Sequence, residues 1–250
     1  MSPQHKMEKP CIVGIPFDFT DARAVVDSIC ERSNPKPLMV MPVNAHTVMN
    51  CRRMPEVKAA LSVTDLILPD GVGVIIAADI LGIPHRGRIP GPALVLEICD
   101  RGREEGLRHY FFGGAPGVAH KMAERLTEMF PGTLVCGEYS PLQFEQSYPA
   151  ELEDCNRINN ACADIVWVGL GSPKQELWIA RNIGRLRAKA VIGVGAAFDF
   201  LSGNKKWAPR WIRRSGLEWA YRLVMEPKRL WRRNLDSPLF LFEVLKQWSQ

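Results

Sequence analysis

The chain has 250 residues, about the upper end for a single α/β domain, and 46% of them are hydrophobic, which suffices for a substantial core. It has no uninterrupted run of about 18 apolar residues and no long apolar segment after its polar N-terminus, so neither a spanning helix nor a secretory signal is expected. The 7 scattered cysteines form no Cys-x-x-Cys pair, which favours reduced thiols in the cytosol over a zinc site.

The net charge of +5 is unevenly distributed along the chain. Residues 201–250 contain 11 Lys and Arg against 4 Asp and Glu, a net charge of +7. The remaining residues contain 21 basic and 23 acidic side chains, a net charge of −2. A basic C-terminal segment indicates an anionic partner, which is nucleic acid, a phosphorylated ligand or a membrane surface.

Short β-rich runs alternate with helical patterns along the first four fifths of the chain. The β-rich runs predict strands near residues 12–15, 38–43, 66–69, 109–112, 133–136, 165–169 and 190–194. The helical patterns lie near residues 21–32, 47–60, 72–82, 92–105, 117–129, 150–162 and 174–187. This alternation predicts an α/β fold with a mostly parallel sheet and helices on both of its faces.

The pattern changes at about Pro209, where the chain becomes helical and rich in Trp and Arg. Pro227 and Pro238 are expected to break this segment into short helices. It is too short for a second core. We therefore divide the chain into a sheet domain, residues 1–204, and a helical appendage, residues 205–250.

Glycines mark two of the predicted strand-to-helix junctions. Gly113 and Gly114 lie in YFFGGAPG, and Gly171 lies in VGLGSPKQELW. Ligands of open α/β sheets bind at the carboxyl ends of the strands, so these junctions predict a shared ligand crevice. A dinucleotide fingerprint, G-x-G-x-x-G after a strand, and a Walker motif are both absent from the sequence.

The segment GSPKQE permits two interpretations. Ser172, Pro173 and Gln175 fit a capping box, in which Ser172 is the N-cap and Pro173 the first helical residue. Alternatively, the free N–H groups of this helix start face an anion, and Lys174 and Gln175 contact a ligand. The residues alone leave both interpretations open.

Other polar residues at predicted strand ends are also ambiguous. Asp70 fits a turn or helix cap, or a carboxylate that acts as general base. Asn44 and Thr47 fit a helix cap or a ligand contact, and a structural role is favoured for His46. Asp199 fits either ligand binding or hydrogen bonding to the backbone in the core.

Eight motifs in a fixed order resemble the WecG/TagA/CpsF family of bacterial glycosyltransferases, family 26. Between residues of about 44 and 233 they read NAHTVM, LPDGVGVIIAADILG, RIPG, FFGGAPGVA, VGLGSPKQELWI, GVGAAFDFLSG, APRWIRRSGLEW and YRLVMEPKRLWRR. The resemblance implies a Rossmann-like fold whose C-terminal appendage approaches the membrane and completes the active site. Two positions depart from the family pattern, Ala93 in RIPGPAL and Trp207 where the family commonly has Arg.

The resemblance implies an inverting hexosyltransferase of cell-surface polysaccharide biosynthesis. The donor would be a UDP-sugar carrying N-acetylmannosamine, N-acetylmannosaminuronate, glucose or glucuronate, and the acceptor a saccharide linked to polyprenyl diphosphate. The enzyme would be cytoplasmic, peripheral on the inner membrane and attracted to its anionic surface, and its partners would include further copies of itself in a homo-oligomer. No Asp-x-Asp metal clamp occurs, so no divalent metal or other cofactor is implied, and cationic side chains would stabilise the leaving diphosphate.

The resemblance also implies roles for single residues. Asp70 matches the proposed catalytic base, Thr47 and Gln175 match polar residues near the substrate, and Arg88 matches a basic residue of the pocket. Arginines of the appendage match residues that reach the UDP diphosphate. Independently of the resemblance, we expect the amides of residues 113–114 and 171–172 to offset the charge of that diphosphate. The whole predicted substrate-binding set is Asn44, Thr47, Arg88, Gly113, Gly114, Gly171, Gln175, Glu176, Arg222, Arg229 and Arg232.

Two other functional classes compete with this prediction. The sheet pattern is compatible with a nucleotide-binding oxidoreductase, but the missing G-x-G-x-x-G motif counts against it. The interleaved Arg and Trp of the appendage are compatible with a nucleic-acid-binding module, but the charge is confined to one segment and no recognition motif occurs. We therefore expect no nucleic-acid partner.

Overall fold

A computed structural model describes residues 9–141 and 147–249, except for the side chains at 148, 229 and 232. The described strands are β1 (Cys11–Ile12), β2 (Ile15–Pro16), β3 (Leu38–Val43), β4 (Leu66–Pro69), β5 (Arg108–Gly113), β6 (Leu134–Tyr139), β7 (Ile165–Gly169) and β8 (Ala190–Gly193). The first two form a short antiparallel hairpin, and the other six form one sheet in the order β4-β3-β8-β7-β5-β6. Every neighbouring pair in this sheet is parallel, so all six carboxyl ends lie at one edge.

Helices connect the strands and cover both faces of the sheet. Those of the sheet domain are α1 (Ala22–Cys30), α2 (Ala45–Arg53), α3 (Pro55–Ser62), α4 (Val72–Ile80), α5 (Gly91–Arg101), α6 (Val118–Met129), α7 (Tyr148–Asn160), α8 (Lys174–Asn182) and α9 (Ala197–Leu201). Those of the appendage are α10 (Arg210–Arg214), α11 (Glu218–Met225), α12 (Pro227–Asn234) and α13 (Asp236–Trp248). The α/β fold predicted from the alternating patterns is confirmed.

Apart from the edge strand β6, which is partly exposed, the sheet is buried on both faces, as near-continuous apolar runs predict for parallel strands. Side chains alternate between two cores, so Val166 and Val168 of β7 face one and Trp167 faces the other. Within the described residues no helix combines the length and apolar content that a membrane-crossing helix requires.

Several predicted elements differ from the structure, among them the helix predicted at 92–105, which ends at Arg101, and the strand predicted at 133–136, which extends to Tyr139. The run predicted as a strand at 12–15 is a hairpin, because Val13 and Gly14 have positive φ and reverse the chain. The helix predicted at 47–60 is two helices, because Met54 is extended before Pro55, as the steric clash with a proline ring favours. The helix predicted at 174–187 ends at Asn182.

The prolines of the appendage act differently from each other. Pro227 is the first residue of α12, as predicted for a helix boundary. Pro238 does not break the chain, because it lies in the first turn of α13, where its missing N–H would have no helical acceptor.

The last helix of the appendage packs on the sheet domain. Phe240 and Val244 are fully buried in the same core as β3 and β7. Gln247 donates from Nε2 to the carbonyl of Cys11 and accepts from the N–H of Val13, at 2.8 and 2.7 Å. The helix therefore shares a core with residues of the sheet domain, while the proposed division after residue 204 stays a prediction.

Candidate active site

A cavity of about 890 Å³ lies at the carboxyl edge of the sheet. Residues that follow β3, β4, β5, β7 and β8 line one side, and residues of α11, α12 and α13 line the other. The predicted residues in its lining are Asn44, Thr47, Asp70, Arg88, Gly114, Gly171, Gln175 and Arg222. Gly113 and Glu176 do not line it, and the side chains of Arg229 and Arg232 lie outside the described residues.

The carboxylate of Asp70 is held at two points beside the cavity. Its Oδ2 accepts a hydrogen bond from Asn44 Nδ2 at 3.2 Å, and its Oδ1 accepts one from the N–H of Gly91 at 3.1 Å. Gly91 is the first residue of α5, so the positive end of that helix dipole also faces the carboxylate. Asp70 is therefore an oriented carboxylate at the end of β4.

Asn44 connects this carboxylate to the start of α2. Its Oδ1 accepts a hydrogen bond from the N–H of Thr47 at 3.3 Å and caps the helix, while its Nδ2 donates to Asp70. Both roles considered for Asn44, a cap and a polar contact in the crevice, are thus combined in one side chain. Thr47 is buried next to it in the cavity lining.

Gln175 reaches the cavity from α8. Its side chain is 5% exposed, and its Oε1 has no hydrogen-bond partner among the described residues. A Cβ at Gly195 would lie 3.2 Å from that oxygen, and a Cβ at Gly193 would lie 3.3 Å from Nε2, so glycines make room for the amide. A buried acceptor without a partner is costly, which fits a site for an N–H or O–H donor of a ligand.

The capping box predicted for GSPKQE is wrong. The N-cap of α8 is Pro173, no side chain caps the helix, and the Ser172–Pro173 peptide bond is cis. Gly171 turns the chain at a φ of 76°, and its carbonyl, not the Ser172 hydroxyl, accepts the N–H of Gln175 at 2.9 Å. An anion at this helix start stays a prediction.

The glycines at the end of β5, Gly113 and Gly114, permit close packing. The N–H of Gly114 donates to the carbonyl of Gly169 at 3.1 Å, so this amide is not available for the anion contact expected of it. A Cβ at Gly113 would lie 2.7 Å from the carbonyl carbon of Gly169, which only glycine permits. These residues join the ends of β5 and β7.

Glu176 follows Gln175 in α8 and is buried. It is 1% exposed, and burial raises the pKa of its carboxyl group above the usual range. Its electrostatic neighbours include Ser172, Gln175 and Arg233, which line the cavity, so Glu176 lies behind that lining and not in it. Substrate contact predicted for Glu176 therefore has no support in this arrangement.

Arg88 joins the sheet domain to the appendage. Its Nη1 donates to Glu218 of α11 at 3.0 Å, and its Nη2 donates to the carbonyl of Arg213. Trp207 donates from Nε1 to the same glutamate at 3.3 Å, and the Arg213 guanidinium lies 3.7 Å above its ring. Trp207, where the family commonly has Arg, thus stabilises this junction by stacking and one hydrogen bond.

Arg222 and Lys205 contribute basic groups to the appendage side. Arg222 packs over the ring of Phe200 at 5.2 Å, and its buried Nε has no hydrogen-bond partner among the described residues. Lys205 lies between Asp199 and Glu226, at 2.8 and 3.1 Å. Asp199 is therefore an ion-pair partner, a third role beside the two considered from the sequence.

A buried aspartate that sequence analysis missed anchors α13 next to the site. Asp236 accepts hydrogen bonds from His46 and Arg53 of α2, each at 2.5 Å. Burial would raise the pKa of Asp236, but these two partners outweigh it and hold that pKa below its usual range. Burial lowers the pKa of His46, and nearby Arg233 adds to this effect. His46 thus has the structural contact favoured from the sequence, and it also lines the cavity.

The acidic residues of the cavity differ in their surroundings. Asp199 and Glu218 are each paired with a cation, whereas Asp70 is held by an amide side chain and a backbone N–H. In the described part of the chain, no group of three His, Cys, Asp or Glu side chains is placed to hold a metal ion.

Comparison with known proteins identifies relatives over most of the chain. Residues 10–250 match the model of the glycosyl transferase WecG/TagA/CpsF family. A Bacillus spizizenii protein (strain ATCC 23059 / NRRL B-14472 / W23), named N-acetylglucosaminyldiphosphoundecaprenol N-acetyl-beta-D-mannosaminyltransferase, is 33% identical over 212 residues, 84% of this chain and 80% of its own. A protein with the same name from Bacillus subtilis (strain 168) is 34% identical over 75% of this chain and 71% of its own. Another from Staphylococcus aureus (strain MRSA252) is 26% identical over 94% of this chain and 91% of its own.

The match extends over the segments that build the cavity. It includes the strand ends that hold Asn44, Asp70 and Gln175, and the appendage helices opposite them. The motifs that suggested the resemblance are thus parts of one site. This chain belongs to the glycosyl transferase WecG/TagA/CpsF family.

Proposed function

We propose that this chain transfers a hexose-type sugar from a UDP-sugar to a saccharide linked to polyprenyl diphosphate, with inversion at the anomeric carbon. The observation that carries the proposal is the Asp70 carboxylate, oriented at the cavity by Asn44 and Gly91. An acceptor hydroxyl placed beside it would lose its proton to Asp70 while its oxygen attacks the donor C1. The bond from C1 to the UDP oxygen breaks as the new glycosidic bond forms.

The rest of the cavity supplies polar contacts for the donor. The unpartnered Oε1 of Gln175 can accept a hydrogen bond from a hydroxyl or an N-acetyl N–H of the sugar. Arg222 and Lys174 line the cavity as cations suited to the diphosphate, whose negative charge grows as UDP leaves. Arg229 and Arg232 remain proposed partners of this diphosphate.

The relatives favour one donor and one acceptor among those considered. Their shared name describes transfer of N-acetylmannosamine to N-acetylglucosaminyl-diphosphoundecaprenol. We propose the same pair for this chain, before N-acetylmannosaminuronate, glucose and glucuronate. We also propose that no divalent cation takes part, because two of the three cavity carboxylates are committed to ion pairs with Arg88 and Lys205.

The appendage is the proposed contact with the membrane. It is basic, and it carries the exposed apolar residues Trp211, Leu217, Trp219, Val224, Met225, Trp231, Leu235, Leu239, Phe242, Leu245 and Trp248. Aromatic and aliphatic side chains enter the interface while basic groups meet anionic headgroups. We propose a peripheral location on the cytoplasmic face of the inner membrane.

The decisive experiment is a donor panel. The purified full chain is incubated with N-acetylglucosaminyl-diphosphoundecaprenol and each of four UDP-sugars, with and without EDTA, and products are measured by mass spectrometry. With UDP-N-acetylmannosamine, we expect the mass of the acceptor to increase by one N-acetylhexosamine unit. We expect the amount of this product to be equal with and without EDTA. No product from any UDP-sugar would contradict the proposed function, and loss with EDTA would contradict the metal-independent reaction.

A further inference from the structure

The helix α4 is apolar on nearly every side, although it begins at the rim of the cavity. Its sequence is VGVIIAADI, and Val74, Ala77 and Ala78 face the core. Ile76 lies on the other side, lines the cavity and is 41% exposed. A helix with apolar residues on all sides is usually covered on all sides. The exposed side of α4 that carries Ile76 therefore indicates an apolar binding partner.

The neighbouring helix α13 presents a second apolar row. Its members recur at spacings of three and four residues and therefore share one helix face. The row consists of Pro238, Leu241, Leu245 and Trp248. The first two line the cavity together with Val72 and Ile76, and the last two are exposed.

We call these six side chains, on two helices that pack against each other, the apolar track. It starts in the cavity, follows α4 and α13, which pack against each other, and ends at the C-terminal end of α13. A helix of 13 residues is about 20 Å long, so the track extends well beyond the cavity. None of the six side chains carries a charge or a hydrogen-bonding group except the indole of Trp248.

We propose that the apolar track binds the first isoprene units of the polyprenyl chain of the acceptor, an inference that rests on the proposed function. Such an acceptor joins a polar diphosphate-sugar to a hydrocarbon chain. The sugar hydroxyl has to reach Asp70 inside the cavity, while the chain has to stay away from water. A cavity with polar strand ends that opens onto an uncharged track matches both parts of this molecule.

The test compares acceptors of different chain length. The kcat/KM of the full chain is measured with an undecaprenyl acceptor and with a short-alkyl, water-soluble analogue, both in the same detergent. We expect Ile76→Ser and Leu245→Ser each to lower the ratio of long-chain to short-chain kcat/KM by roughly tenfold. This corresponds to one well-buried aliphatic contact.

Leu239→Ser is the matched control. Leu239 and Leu245 lie on different faces of α13 and are 48% and 49% exposed, so both variants remove an equally exposed leucine from the appendage. The ratio is expected to stay at its wild-type value in Leu239→Ser. All three side chains are exposed, so the variants are expected to fold, which thermal unfolding verifies.

Three results would overturn the proposal. Unchanged ratios in Ile76→Ser and Leu245→Ser would do so while leaving the proposed function intact. An unchanged ratio with an altered oligomeric state in light scattering would assign the track to a second copy of this chain. Failure of the wild-type chain to use any lipid-linked acceptor would overturn the proposed function and this inference together.

Discussion

Asp70 differs from the other carboxylates of the cavity in what surrounds it. A carboxylate that is paired with Lys or Arg has its oxygens engaged by a cation, which competes with an acceptor hydroxyl for them. Asp199 and Glu218 have such partners, whereas Asp70 accepts hydrogen bonds from an amide and a backbone N–H. The proposed base is thus the cavity carboxylate that has no cationic partner in the described structure.

We expect Asp70→Asn to lower kcat by about 10²–10⁴-fold, because the amide cannot take the proton of the acceptor hydroxyl. The measurement is initial rate with the donor and acceptor defined above. Asp199→Asn changes a carboxylate of the same cavity that is paired with Lys205, and we expect it to stay within about tenfold of wild type. Transfer near the wild-type rate by a folded Asp70→Asn chain would reject the assignment.

At the scale of elements, the appendage is fixed to α2 by charged groups. Asp236 of α13 binds His46 and Arg53, and Glu243 lies 3.3 Å from Arg52. The same helix α2 begins at Asn44, which orients Asp70. Correct placement of α13 therefore also fixes the helix that supports the proposed base.

We expect Asp236→Asn to lower the free energy of unfolding by about 1.5–3 kcal/mol, typical for a hydrogen bond to a charged group. The pKa of Asp236 is lowered by folding, so its contribution is present above the unfolded pKa and is lost as pH falls through the folded pKa. Urea unfolding at neutral and acidic pH measures both effects. The difference in the free energy of unfolding between the wild type and Asp236→Asn should be smaller at acidic pH.

Asp79→Asn is the control for this prediction. Asp79 lies on α4, and its carboxylate is 66% exposed in an ion pair with His85. Exposed ion pairs contribute little to stability. We therefore expect Asp79→Asn to lower the free energy of unfolding by less than about 1 kcal/mol. Equal losses of unfolding free energy in Asp236→Asn and Asp79→Asn would mean that Asp236 does not anchor α13.

Local patterns predicted most of the elements but not the contacts between distant ones. The β-rich runs locate the strands of the sheet, because parallel strands buried on both faces are almost entirely apolar. The bond between His46 and Asp236 joins residues 190 positions apart, which no periodicity indicates. The start of α8 was mispredicted because Ser172 and Gln175 suit a capping box by type, whereas the turn at Gly171 decides the backbone.

At the scale of the whole molecule, exposed apolar residues are concentrated in the appendage. The sheet domain also has a few, including Val63, Met129 and Leu134, but these are dispersed. An apolar and basic surface on one segment is typical of proteins that bind an anionic interface. The cavity is lined partly by this same segment, which would bring the active site close to a lipid-linked acceptor.

We expect the full chain to sediment with anionic vesicles more than with neutral ones, and less at high salt, because salt screens the basic groups. Replacing Trp211, Val224 and Phe242 by Ser should weaken binding by at least tenfold through lost apolar insertion. The control replaces Val63, Met129 and Leu134 of the sheet domain by Ser. Equal binding by both triple variants would argue against the appendage as the membrane contact.

The amide of Asn44 has a consequence for the energetics of proton transfer. Its oxygen is committed to Thr47 and its nitrogen to Asp70, so a flip of the amide would break both bonds at once. The proton acceptor is therefore aligned by secondary structure before any ligand arrives. The Asp70 carboxylate and the Asn44 amide therefore need little rearrangement during the reaction step. Fixed dipoles accelerate a reaction most when they need not reorient.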